Sequence, residues 1–185
     1  MALFTPKLRW VKLKDYFTLA NALAGFLAVL LFLRGEREAG MLLVVLAVAL
    51  DFLDGKVARL IGKNSSNDFG RELDSLADTV SFAVAPAALI VADHGFVVIP
   101  LAIAVFFLSA GVVRLAIFNL QTKSEKGSYT GMAIPIAALL VVFVHAFAFP
   151  YSLWVSLLAG FAMLLNFKYS KKVLKKATGL PLVFD

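Results

Sequence analysis

Two pairs of aspartates stand where chemistry could be done: Asp51 with Asp54, and Asp74 with Asp78. On a helix, residues three apart lie about 60° apart around the axis and residues four apart about 40°, so each pair shares one helix face. The polar stretch "IGKNSSNDFG" between the pairs reads as the connector of an antiparallel hairpin, which sets all four carboxylates at a similar depth. They would repel one another there, and an ionised aspartate at a bilayer centre costs about 2.5–3.5 kcal/mol or more. Lys56, Arg59 and Arg71 offset part of that charge. The chain has no cysteine and only two histidines, His94 and His145, so a hard divalent cation on oxygen ligands, Mg²⁺ or Mn²⁺, is the better fit. Two such ions about 3.5–4 Å apart can grip phosphates and stabilise both the attacking and the leaving oxygen of a displacement.

These aspartates sit in greasy surroundings. Of the 185 residues, 61% are hydrophobic and 16% charged, and the mean hydropathy is +0.89. Soluble domains are about half apolar and a quarter charged, so the composition indicates an all-α polytopic membrane protein. Against a requirement of about 20 apolar residues per crossing, six candidate spans emerge, at 17–33, 39–61, 72–92, 97–120, 131–149 and 151–167. Spans 2 and 3 reach that length only by including the aspartates. Of the 18 Lys and Arg, all but Arg34 and Arg37 fall on one side of this arrangement. The positive-inside rule then makes that side cytoplasmic, with both termini and a polar cavity opening there. Residues 1–16 read as a basic interfacial segment and residues 168–185 as a basic cytoplasmic tail, within a single domain spanning 1–185. The net charge of +6 is distributed at span ends rather than along one face, which argues against nucleic-acid binding.

Small and polar residues near the aspartates invite two readings each. Gly55 and Gly70 remove side chains where a phosphate or ribose would approach the backbone, or serve helix packing as small residues do. Asp68 and Glu72 fit a solvated hairpin end. Asn21 would contact a nucleotide or bond to a neighbouring helix. Arg59 would pair with phosphate through its planar fork or anchor the interface. Arg114 and Asn119 at the end of span 4, with Lys126 and Thr130 in the next connector, suit the carboxylate of an amino-acid acceptor, although positive-inside placement also accounts for Lys126. His145 and Asn166 read as ordinary interior or helix-end polar groups. Trp10, Tyr151, Trp154 and Tyr169 fit interfacial belts.

The pattern Asp51, Asp54, Gly55, Ala58, Arg59, Gly70, Asp74 and Asp78 resembles the D-x-x-D-G-x-x-A-R … G-x-x-x-D-x-x-x-D signature of the CDP-alcohol phosphatidyltransferase family. The connector between Arg59 and Gly70 is slightly longer than is usual there. The resemblance implies a six-helix membrane enzyme, commonly a homodimer, that uses two divalent ions to transfer a phosphatidyl group from a CDP-activated lipid to an alcohol, releasing CMP. By position it implies Asp51, Asp54, Asp74 and Asp78 as metal ligands, with Asp78 also the general base. Asn21, Asp54, Gly55, Ala58, Arg59, Gly70 and Asp74 would contact the CDP-lipid. The stretches "FTLANALAGFLAV", "LDSLADTVSFAVAPAALI" and "RLAIFNLQTKSEKGSYTGMAIPIAAL" look like the phosphatidylserine synthases of that family or their archaeal ether-lipid counterparts. This implies L-serine as acceptor, held by Arg114, Asn119, Lys126 and Thr130. Other acceptors, glycerol 3-phosphate or inositol phosphate, stay open, as more distantly do a membrane prenyltransferase and a divalent-cation carrier.

Overall fold

A computed structural model describes residues 13–61, 68–124, 128–165 and 168–170; the side chains at 13, 14, 54, 57–61, 68, 121–124, 128–130 and 168–170 lie outside the described set. Residues 1–12 of the expected interfacial segment, and 171–185 of the expected basic tail, also lie outside it.

Helices dominate. α1 (Leu13–Leu33) and α2 (Arg37–Ile61) form an antiparallel hairpin whose turn needs Gly35, at φ +81°. The two helices meet closely: a Cβ on Gly40 would strike the Phe32 ring. The third apolar segment is longer than the 72–92 expected, because the helix begins at Asp68. It runs as α3 (Asp68–Asp78), a π-helical turn (Thr79–Val84) and α4 (Ala85–His94). Pro86 supplies a physical reason for the interruption. Proline lacks an N–H and its ring crowds the carbonyl four residues back, and the wider turn accommodates both; its closing bond runs from the Ala85 N–H to the Val80 carbonyl.

α5 (Val98–Ser124) follows, then α6 (Ile134–Phe147), which begins with Pro135 in its first turn, a 3₁₀ turn (Phe149–Tyr151) and α7 (Ser152–Leu164). Both α6 and α7 are shorter than the spans drawn at 131–149 and 151–167. The all-α expectation has one exception. β1 (Ser128–Thr130) pairs antiparallel with β2 (Lys168–Ser170) in a two-stranded ribbon that joins the α5–α6 connector to the chain beyond α7. Gly131 makes the approach possible: its φ is +75°, and a Cβ there would lie 2.8 Å from the Met163 carbonyl oxygen.

Three helical stretches are long and apolar enough to cross a membrane, Asp15–Leu33, Phe69–His94 and Val98–Leu120, and Ile134–Phe147 and Phe149–Leu164 are shorter apolar helices. The exterior carries large apolar side chains such as Leu23, Phe26, Phe143, Trp154 and Leu158, whereas Asp15, Thr18, Asn21, Asp78, Ser81 and Arg114 are buried. An apolar outside around a polar inside is the distribution lipid imposes, and it marks a membrane protein. The apolar core joins residues of every helix except α3, with Phe82, Leu89, Ile90 and Phe107 fully buried.

A second polar cluster closes the other end of the bundle. Arg37 at the start of α2 pairs with Asp93 near the end of α4 at 3.0 Å. His94 stacks on Phe149, and its Nε2 lies 2.7 Å from the Ser152 hydroxyl. That hydroxyl donates to the Phe149 carbonyl, so His94 is the donor in its bond to Ser152.

Candidate functional site

α2 and the α3–π–α4 segment place the aspartates as the helical spacing requires. One carboxylate oxygen from each of Asp51, Asp74 and Asp78 lies within 4.8 Å of the others. Asp51 and Asp74 are half-buried and Asp78 is buried. Two oxygens bound to one Mg²⁺ at about 2.0–2.1 Å stand roughly 3–4 Å apart. The cluster therefore needs at most a small contraction to share a cation, and its all-oxygen donor set suits Mg²⁺ or Mn²⁺. The backbone of Asp54 continues α2 one turn past Asp51; its side chain, with those of Ala58 and Arg59, lies outside the described residues.

Around the cluster the expected residues separate. Gly55 is exposed and a Cβ added there would meet nothing within 4 Å, so the backbone is open to a ligand. Gly70 is buried in the first turn of α3, and Glu72 is exposed, as a solvated hairpin end requires. Asn21 bonds to a neighbouring helix and does so at the cluster itself: its Nδ2 donates to Asp78 Oδ1 at 3.1 Å. Its own carbonyl accepts the Ser81 hydroxyl at 2.8 Å. Asn21 Oδ1 is buried beside Asp78 with no hydrogen-bond partner among the described residues, an acceptor to which the donor of a bound, hydrated ligand would be suited.

The acceptor-side residues are partly committed to the protein. Arg114 is buried on α5; its Nε donates to the Met132 carbonyl at 3.1 Å and its guanidinium lies 5.8 Å from the Phe118 ring centre. That leaves the terminal nitrogens for an end-on bidentate partner. Asn119 Nδ2 donates to the Ser75 hydroxyl at 2.8 Å, which brings α5 beside Asp74. Lys126 lies outside the described residues, and Thr130 sits in β1 with its side chain outside them.

Several polar residues at the site are absent from the sequence-based expectations. Asp15, Thr18 and Gly25 join the expected Asn21 in a buried stripe along one face of α1. Their three- and four-residue spacing in an otherwise apolar helix is the signal that finds them. Ser75 and Ser81 have no such signal; their partners, Asn119 and the Asn21 carbonyl, are remote in sequence.

The chain is similar in sequence to known proteins. Residues 12–167 match the family model described as CDP-alcohol phosphatidyltransferase. The chain is 39% identical over 133 residues to an archaetidylserine synthase of Methanothermobacter thermautotrophicus, covering 71% of this chain and 57% of that protein. It is 38% identical over 131 residues to a CDP-diacylglycerol–serine O-phosphatidyltransferase of Helicobacter pylori, covering 69% of this chain and 54% of that one. A protein of the same name from Methanocaldococcus jannaschii is 37% identical over 175 residues, covering 95% of this chain and 72% of its own length. The chain thus spans little more than half of the first two relatives. With the family match extending over residues 12–167 and three aspartates, Asp51, Asp74 and Asp78, gathered at one place, the chain belongs to the CDP-alcohol phosphatidyltransferase family.

Proposed function

We propose that this protein transfers a phosphatidyl-type group from a CDP-activated lipid, a CDP-diacylglycerol or its ether analogue, to the hydroxyl of L-serine and releases CMP. The observation that carries the reading is the convergence of Asp51, Asp74 and Asp78 from two helices onto one point. The serine-using relatives support the choice of acceptor.

In this reading Asp51, Asp54, Asp74 and Asp78 hold two divalent ions, Mg²⁺ or Mn²⁺. When bound, the ions neutralise the diphosphate and stabilise charge on the departing CMP. The chain's own side chains do the rest. Gly55 leaves the backbone accessible to the nucleotide and diphosphate, Ala58 and Gly70 contact the same ligand, and Arg59 pairs with a phosphate oxygen. The terminal nitrogens of Arg114 take the serine carboxylate end-on, with Asn119, Lys126 and Thr130 around the acceptor. The serine hydroxyl attacks the phosphorus that carries the lipid, its proton passes to the Asp78 carboxylate, and the bond between that phosphorus and the oxygen of CMP breaks.

The working form is a homodimer in the cell membrane. Each chain crosses six times, with both termini and the polar cavity on the cytoplasmic side. Purified protein given a defined CDP-lipid and labelled acceptors tests the assignment. CMP release with serine is expected; release with glycerol 3-phosphate or inositol phosphate but not with serine overturns the acceptor, and consumption of a prenyl diphosphate with CDP-lipid untouched overturns the reaction.

A further inference from the structure

The bond from Asn21 to Asp78 is anchored on both sides. The Ser81 hydroxyl holds the Asn21 carbonyl at 2.8 Å. One turn further along α1, Gly25 lies so close that an added Cβ would stand 2.5 Å from Ser81 Cα. α1 is therefore pressed onto the π-helical turn directly beyond Asp78, and Asn21 is fully buried between them. The amide orientation follows from chemistry, because an ionised carboxylate only accepts, so the NH₂ end must face Asp78. The other end, Oδ1, is left buried with no hydrogen-bond partner among the described residues. Burying such a group costs about 1–3 kcal/mol, whereas leucine would fill a similar volume without that cost. Packing alone does not call for an amide here.

We infer that Asn21 is a positioning residue: its amide fixes the rotation of the Asp78 carboxylate so that Asp78 meets the cation together with Asp51 and Asp74. This rests on the reading of Asp78 as metal ligand and base. The terminal torsion of aspartate is broad and roughly two-fold, so a bond to one of its oxygens narrows the rotations open to the group. A neutral donor restrains it without adding a positive charge that would compete with the metal. A carboxylate offers about four lone-pair sites, and the bond from Asn21 takes one of them.

The test is Mn²⁺ titration, followed by electron paramagnetic resonance, of purified protein without lipid substrate. It compares wild type, Asn21→Leu, Asp78→Ala and the double variant, with thermal unfolding as a check on folding. Asn21→Leu is expected to weaken Mn²⁺ binding by about tenfold, and to have almost no further effect once Asp78 is alanine. Equal losses in both backgrounds, or none in either, overturn the inference, since independent effects add. If Asn21→Leu does not fold, Ser81→Ala decides: it leaves the amide in place and loosens its anchor, and a smaller loss that again vanishes with Asp78→Ala supports positioning, while an additive loss refutes it. In turnover, Asn21→Leu should lower kcat with the CDP-lipid KM kept within about twofold; a raised KM with unchanged kcat would instead make Asn21 a nucleotide contact. If no variant and no wild-type sample releases CMP, the transferase reading fails while the Mn²⁺ cycle still decides the role of Asn21.

Discussion

Asn119 on α5 reaches the Ser75 hydroxyl on α3 at 2.8 Å, one residue from Asp74, and Ser75 in turn donates to the Arg71 carbonyl at 3.2 Å. This relay fixes α5 against the helix that carries half of the acidic cluster. Asn119→Leu removes the donor and leaves Ser75 its bond to Arg71. A neutral hydrogen bond contributes about 1 kcal/mol, which corresponds to a several-fold change in an equilibrium constant. The expected outcome is a serine KM raised by up to about tenfold, with the CDP-lipid KM unchanged, in steady-state assays of CMP release.

Asp78 is buried where Asp51 and Asp74 are half-buried, and it accepts the Asn21 amide. Asp78→Asn keeps the shape and one coordinating oxygen but cannot take the proton of the acceptor hydroxyl. Turnover should fall by a factor of about 10² or more while Mn²⁺ affinity falls much less. Single-turnover kinetics at saturating metal check this, and full activity in the variant would contradict it.

A Cβ on Gly25 would meet Ser81 Cα at 2.5 Å as well as its hydroxyl, so no rotamer change of Ser81 relieves a larger residue there. Gly25→Ala should destabilise the protein by about 1–3 kcal/mol, as overpacking does. Thermal unfolding in detergent reads the loss, and CMP release should fall with it because Asn21 is displaced from Asp78.

At the opposite end, Arg37 pairs with Asp93 at 3.0 Å, but the arginine side chain is 52% exposed. The Asp93 side chain is only 1% exposed, so Arg37→Ala leaves a buried carboxylate without this partner and should cost roughly 1–3 kcal/mol. Arg37 and Asp51 are fourteen residues apart on α2, about 21 Å along the axis. Mn²⁺ binding and CMP release at permissive temperature should therefore match wild type.

What the sequence makes legible is what depends on local spacing. The intervals 51–54 and 74–78, joined by a polar connector, are enough to predict that α2 and α3 present their aspartates together, and three of the four carboxylates meet. The apolar segments locate the helices but not their ends. α3 starts at Asp68 because polar residues can occupy a solvated first turn, and α6 starts late because Pro135 belongs in a first turn. The π-helical turn escapes a reading based on 3.6-residue periodicity, although Pro86 marks it. Pairs such as Asn21 with Asp78, and the ribbon of residues 128–130 with 168–170, are tertiary: no local pattern encodes a partner 57 or 40 positions away.

The central claim is that carboxylates from α2 and α3 form one cation site that serves the transfer reaction. Its most direct test is Mn²⁺ binding and CMP release measured side by side in wild type, Asp51→Ala and Asp74→Ala. The account predicts that each substitution, on either helix, weakens Mn²⁺ binding by a factor of about 10 or more and abolishes turnover. Wild-type Mn²⁺ affinity in either variant, or undiminished CMP release by wild type in excess chelator, would contradict it.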